Sequence, residues 1–270
     1  MDFKIQNILV GFDYSLSAQI ALKKAAQTAK RLEAKLHAAY IGTQNASIPD
    51  EIKKFITETS TEFGLDIEFI ERHGKVYKEI SILEREIGAD LIIVGTHGSE
   101  GWQPFWIGSN AFRIVAASNC PVITIQETTK DTSLTDILLP LDDSETTRQK
   151  VPYAAIIAQA FNAKVHVLSV SKGKGPVLKN RLKRYGKQTV EYMAERGIDT
   201  TFKAMFGVKP PKAILDYSKE LRAGLIIMMT DTESLSVVMG SYAQEIINNS
   251  VVPVMSIHSR DLAIAGSVGY

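Results

Sequence analysis

Apolar residues in this chain fall into short blocks separated by stretches of helical periodicity. Ile8-Leu9-Val10-Gly11-Phe12 is the first block, short and continuous, and it predicts a strand buried on both faces. Ala18, Ala21, Leu22, Ala25, Ala29 and Leu32 follow at three- and four-residue spacing, the mark of an amphipathic helix. Leu36–Ile41 predicts a second strand. Pro49 opens a second helix over Ile52, Phe55 and Ile56, which Gly64 closes. Asp66–Glu71 predicts a third strand. A third helix, with Tyr77, Ile80, Leu83 and Ile87 on one face, runs from Gly74 to Gly88. Leu91-Ile92-Ile93-Val94 predicts the fourth strand, and Val122–Ile125 the fifth. Between them a helix opens at Gly108 with Phe112, Val115 and Ala116 on one side. Strands alternating with helices imply a parallel sheet covered on both faces.

The second half repeats the first. Ile8-Leu-Val-Gly-Phe-Asp-Tyr-Ser15 is echoed by Ile137-Leu-Leu-Pro-Leu-Asp-Asp-Ser144. Gly88-Ala-Asp-Leu-Ile-Ile93 returns as Arg222-Ala-Gly-Leu-Ile-Ile227, and Ser118-Asn-Cys-Pro-Val-Ile123 as Ser250-Val-Val-Pro-Val-Met255. The offset, about 129 to 134 residues, has the length of a whole domain. The expected division is therefore a domain at 1–128, a polar linker at 129–134, a second domain at 135–260 and a tail at 261–270.

Composition narrows the class. The 270 residues are 45% hydrophobic and 23% charged, with a net charge of +1, as expected of a soluble globular protein. Interspersed charges leave no basic footprint for nucleic acid, and no apolar run approaches a membrane span. The N-terminus lacks a signal-peptide layout, and the single cysteine, Cys120, fits a reducing compartment and a packing role. The expected location is cytoplasmic.

Candidate chemistry concentrates after the fourth strand. That strand runs into Gly95-Thr96-His97-Gly98, and nine residues separate Gly98 from Gly108-Ser109-Asn110. Strand, glycine turn and helix N-terminus together favour an anion: glycine lets backbone approach a ligand, and the first helical N–H groups attract negative charge. A Walker-type loop is absent, and no Gly-x-Gly-x-x-Gly follows the first strand.

The spacing G-x2-G-x9-G-S resembles the ATP-binding signature of the universal stress protein family, matched by Gly95, Gly98, Gly108 and Ser109. With the aspartate after strand 1 and the Pro-Val fifth strand, the resemblance extends over nearly the full length as a tandem of two such domains. It implies, in each half, a Rossmann-like five-stranded parallel sheet of order 3-2-1-4-5, related to the adenine nucleotide α-hydrolases. It implies that the two fifth strands pair, so that the halves form an intramolecular pseudo-dimer; exposed apolar edges need covering in any case. A homodimer of chains is a further assembly to test. Residue by residue, the resemblance places Asp13 beside the nucleotide and the Ile41 backbone at the adenine. Gly95, Gly98, Gly108, Ser109 and Asn110 fall at the phosphates. Ser15 and His97 are further contact candidates. ATP is the expected ligand, with Mg²⁺ held through Asp13 as a further candidate. Asp13 and Ser15 also compete as N-caps of the first helix.

The loop Ser99–Ile107, SEGWQPFWI, carries no Lys or Arg, so phosphate would rest on backbone N–H groups, Ser109 and Arg113. It holds Trp102, Phe105 and Trp106, as a lid, a partner patch or simple packing. In the second half Met229 and Thr232 replace Gly95 and Gly98, and Asp231 and Glu233 add negative charge. Only Gly240-Ser241 survives. One ATP site, in the N-terminal domain, is expected.

Other chemistry is thin. The five histidines lack ligand spacing, Ser15 and Ser109 lack a His/Asp partner pattern, and the basic run Lys172–Lys187 reads as a solvated helix start. No catalytic constellation emerges. The expected function is a nucleotide-responsive regulatory protein of stress response, not an enzyme, with an unidentified protein partner. Two rivals stand beside it: a nucleotide-free scaffold using Ser99–Ile107, and a slow ATPase or adenylyl-transfer enzyme.

Overall fold

The computed structural model describes residues 4–43, 48–96, 109–129, 134–144, 146–230 and 241–259, in two compact units that divide between Thr129 and Lys130. The first unit runs β1 (Asn7–Gly11), α1 (Leu16–Leu32), β2 (Lys35–Gly42), α2 (Asp50–Phe63), β3 (Ile67–His73), α3 (Val76–Ile87), β4 (Leu91–Gly95), α4 (Ser109–Ala117) and β5 (Val122–Ile125). The second runs β6 (Asp136–Leu141), α5 (Val151–Phe161), β7 (Lys164–Ser171), α6 (Pro176–Ala194), β8 (Thr200–Phe206), α7 (Pro210–Leu221), β9 (Leu225–Thr230), α8 (Ser241–Asn249) and β10 (Val254–His258).

In the first unit the strands lie in the order β3-β2-β1-β4-β5, every neighbour parallel. The second unit has the same order, β8-β7-β6-β9-β10, also parallel. Each unit thus carries the expected five-stranded parallel sheet of order 3-2-1-4-5. The central strands are buried throughout: Ile8, Leu9, Val10, Ile92, Ile137, Leu138 and Ile226 have almost no exposure. Helices cover them because each must bury its own apolar face. In α1 the small residues Ala18, Ala21, Ala25 and Ala29 face inward, which lets the helix lie close to the sheet.

Helix ends follow local chemistry. Gly64 closes α2 and Gly88 closes α3, both in the left-handed conformation that costs glycine nothing. In α4 the inner face is Ala111, Ile114, Val115 and Ala116, while Phe112 is only half-buried. Where α4 leads into β5, the buried Glu84 of α3 accepts N–H bonds from Asn119 at 2.6 Å and Cys120 at 2.9 Å. Cys120 is buried there beneath the sheet end. The basic run belongs mostly to α6. Among the described residues no helix is long and apolar enough to cross a membrane.

At the amino edge of each sheet a buried histidine ties three strands together. His37 of β2 lies 3.3 Å from Asn7 Oδ1 at the start of β1 and 2.8 Å from Glu68 Oε2 of β3. His166 of β7 lies 2.8 Å from Asp136 Oδ1 of β6 and 2.8 Å from Thr201 Oγ1 of β8.

Candidate functional site

Strand register decides which candidate residues meet. Gly11 stands beside Ala39 of β2 and beside Val94 of β4. Asp13, Ile41 and Gly95 therefore lie at the carboxyl ends of three adjacent strands, with β2 on one side of β1 and β4 on the other. In open α/β sheets that switch point is where ligands bind.

Asp13 does not cap α1. Its Oδ1 accepts from the Ser15 N–H at 3.0 Å and the Ser15 hydroxyl at 2.6 Å, closing a local Asx turn. Ser15 is the cap, and its Oγ accepts the Ala18 N–H at 3.3 Å. The carboxylate orients the serine, and the serine starts the helix. Between them Tyr14 has φ +66°, while the other non-glycine residues described with positive φ (Glu33, Asn162, Arg222) are helix C-caps. Such a conformation costs a bulky residue on the order of 1–3 kcal/mol. Three contacts hold it: Gln19 Nε2 donates to the Tyr14 carbonyl at 2.9 Å, and the Tyr14 ring meets Phe55 and Phe12 edge-on at 5.9 Å and 6.3 Å between centroids.

Gly95 ends β4 against the first turn of α1. A Cβ there would lie 2.8 Å from the Ala18 nitrogen, 2.8 Å from the Ser17 carbonyl carbon and in collision with Ser17 Oγ. In the sequence Gly95 reads as a glycine that makes room for a ligand; in the structure it makes room for a helix. Ile41 is half-buried near the end of β2. Asn110 is exposed on the first turn of α4, directly after Ser109. Arg113 stacks on the Tyr77 ring, 5.0 Å from its centroid, and so has a partner other than a ligand. His97, Gly98 and Gly108 lie outside the described residues, as do the loop Ser99–Ile107 and the second-half residues Asp231, Thr232, Glu233 and Gly240.

The second unit builds the same turn from Asp142 and Ser144, with the same lengths, 3.0 Å to the N–H and 2.6 Å to the hydroxyl. What surrounds it differs. Lys150, only 2% exposed, turns inward; its Nζ donates to the Thr147 carbonyl at 2.6 Å, while Thr147 Oγ1 accepts from the Asp142 N–H at 2.9 Å. Burial pushes the Asp142 carboxyl up, but the Lys150 charge and the bonds to Ser144 and Thr147 outweigh it and hold the carboxyl below its ordinary value. Lys172, just past β7, lies over the Tyr242 ring at the start of α8, 4.9 Å from the centroid. Nothing in the sequence marks Lys150 as buried, since it sits in the polar run Thr146–Lys150. The nearest signal is Pro152, which places a helix start immediately after it.

The two five-stranded units share one strand order, one Asx turn and a tandem sequence repeat. The sequence profile described as the universal stress protein family matches residues 4–126 and again 134–258. The chain belongs to the universal stress protein family. A putative universal stress protein of Staphylococcus haemolyticus is 28% identical over 142 residues, covering 45% of this chain and 84% of that protein. A universal stress protein of Bacillus subtilis is 26% identical over 144 residues, 44% of this chain and 97% of its own length. A universal stress protein structure from Archaeoglobus fulgidus covers 94% of this chain and 97% of its own, with a TM-score of 0.72 at 19% identity. At that identity the structural likeness speaks for the fold.

Proposed function

We propose that this universal stress protein is a regulatory binding protein with one adenine-nucleotide site, in the first unit. The observation that carries the reading is the convergence of Asp13, Ile41 and Gly95 at the switch point of the first sheet. The sequence G-x2-G-x9-G-S continues from that point into the N-terminus of α4. Base and ribose would lie over β2 beside Asp13 and the triphosphate along the β4–α4 connection, where Gly98, Gly108, Ser109, Asn110 and His97 are the contact candidates. Ser15 acts one step back, through its bond to Asp13. Occupancy would shift the population of conformers in the Ser99–Ile107 connection, and so alter a surface that a protein partner reads.

Among the described residues no three His, Cys, Asp or Glu side chains converge to hold an ion. Asp13 commits one carboxylate oxygen to Ser15, so Mg²⁺ fits this reading as a counter-ion that comes with the phosphates. The pseudo-dimer of the two halves through their fifth strands is part of the reading, supported by the apolar character of those strands in the sequence. The second unit takes no nucleotide in the same manner, because Met229 and Lys150 occupy the corresponding ground.

Thermal unfolding of verified nucleotide-free protein tests the proposal. Mg-ATP at about 100 times its Kd should add about 2.7 kcal/mol of stability, and Gly108→Val should abolish the gain. No shift up to millimolar Mg-ATP would sink it and leave the scaffold.

A further inference from the structure

Equivalent helices of the two units carry opposite charge. In the first unit α2 holds four acidic and two basic residues, and Lys54 lies 3.9 Å from Glu58 one turn on. In the second unit α6 has the same place, between the second and third strands. From Lys172 to Val190 the chain carries seven Lys and Arg and no Asp or Glu. Among the described residues of that stretch only Arg181 has a carboxylate partner, Asp143 at 3.2 Å. Lys172 and Lys179 rest over the Tyr242 and Phe206 rings, 4.9 and 5.7 Å from the centroids, contacts that bring no negative charge. Several cations elsewhere find carboxylates, as Lys23 does with Glu62, Arg72 with Glu86 and Lys164 with Asp199.

The fold does not call for these charges. α6 buries Leu182, Gly186, Thr189, Tyr192 and Met193. A Cβ on Gly186 would collide with the Phe202 ring of β8, so the helix lies close against the sheet there and its rotation is fixed. Lys183, Arg184 and Lys187 are left exposed on the outer side. Like charges one turn apart work against a helix, so this row costs stability. The same stretch exposes an apolar point. Pro176-Val177-Leu178 opens α6, and Val177, 81% exposed, is the most exposed large apolar side chain among the described residues. Lys172 and Lys174, also exposed, stand just before it.

We propose that the outer face of α6, with the Lys172–Leu178 corner that leads into it, docks on the surface of a lipid bilayer bearing anionic headgroups. Such a surface suits each part of the face. Headgroups answer the row of cations, and the boundary below them takes the Val177 side chain. An acidic polypeptide would answer the cations and give no use to the apolar point. Single-stranded nucleic acid stacks its bases on aromatic rings, and the exposed positions of α6 have none. Docking of this kind needs no membrane-spanning helix, and it stands apart from the nucleotide reading.

Flotation of the full chain with vesicles tests this, using phosphatidylcholine alone and phosphatidylcholine mixed with phosphatidylglycerol. The protein should float with the mixed vesicles only, and less as added salt shortens the screening length below about 10 Å. Lys183→Gln with Lys187→Gln should weaken binding about 25-fold, about fivefold for each cation, the equivalent of about 1 kcal/mol apiece. The matched pair Lys53→Gln with Lys54→Gln, exposed on α2, should leave it unchanged. Val177→Ser removes no charge and should weaken it several-fold at every salt concentration. No binding to the mixed vesicles, equal binding to phosphatidylcholine alone, or an equal loss in the Lys53 and Lys54 pair overturns the docking face. Unchanged affinity in Val177→Ser, or wild-type protein held by poly-glutamate and not by vesicles, overturns the lipid in favour of an acidic protein. Unfolding midpoints show whether each variant is folded, and if one is not, the wild-type comparison of the two vesicle types still decides.

Discussion

Asp13 and Asp142 make the same two bonds to the serine two residues on, at the same lengths, in two copies of one fold. Asp13 stands beside a glycine and a helix that starts at once. Asp142 feels the charge of a buried lysine and precedes a helix that starts late. The turn survives in both because it belongs to the fold: it carries the chain from the first strand into the first helix. What varies is the ground in front of it. A conserved local geometry after duplication is therefore poor evidence of a conserved site, and the neighbours of the carboxylate are better evidence than the carboxylate.

The sharpest way to break the contrast is to remove the lysine. Lys150→Met removes the charge that holds the Asp142 carboxyl down and strips the buried Thr147 carbonyl of its Nζ donor, a loss of about 1–3 kcal/mol. The second unit should then unfold at lower denaturant than the first, giving two transitions; Lys150→Met with Asp142→Asn should recover part of the loss. A single unchanged transition would show that the lysine contributes nothing. Acid should act on the same unit more gently. The Asp142 carboxyl is held below 3.8 in the folded state, so its contribution is complete above that value. It is lost as pH falls through the folded value. Acid titration followed by exchange in β6 and α5 should show a decline that Asp142→Asn flattens. The smallest effect separates the serines. Ser15→Ala removes the cap of α1 and should cost about 1 kcal/mol in the first unit. Ser144 caps no helix, so Ser144→Ala should cost the second unit less; equal losses would contradict the difference in helix starts.

The strands and the duplication were legible because apolar blocks such as Ile8–Val10 and Leu91–Val94 have one stable use, as central parallel strands, while the sheet order was implied by the family resemblance. Gly64 and Gly88 marked helix ends for an equally local reason. The site was legible only as a set of positions. Gly95 could be found by its spacing, but its role could not, because the collision that it avoids is with Ser17 and Ala18, far away in the chain. Nothing in the sequence sets the buried Lys150 and Glu84 apart from surface charges, since burial of a charge depends on partners that the fold supplies. Tyr14 gave no sign of a left-handed backbone, a conformation that Gln19 and the rings of Phe12 and Phe55 accompany.

The histidine ties at the amino edges have a mechanical meaning. Asn7, His37 and Glu68 clamp three strands of the first sheet at one end, as Asp136, His166 and Thr201 do in the second. A sheet pinned along one margin behaves as a lever with its fulcrum there. Any splaying of the strands grows toward the far margin, where Asp13 and Gly95 stand.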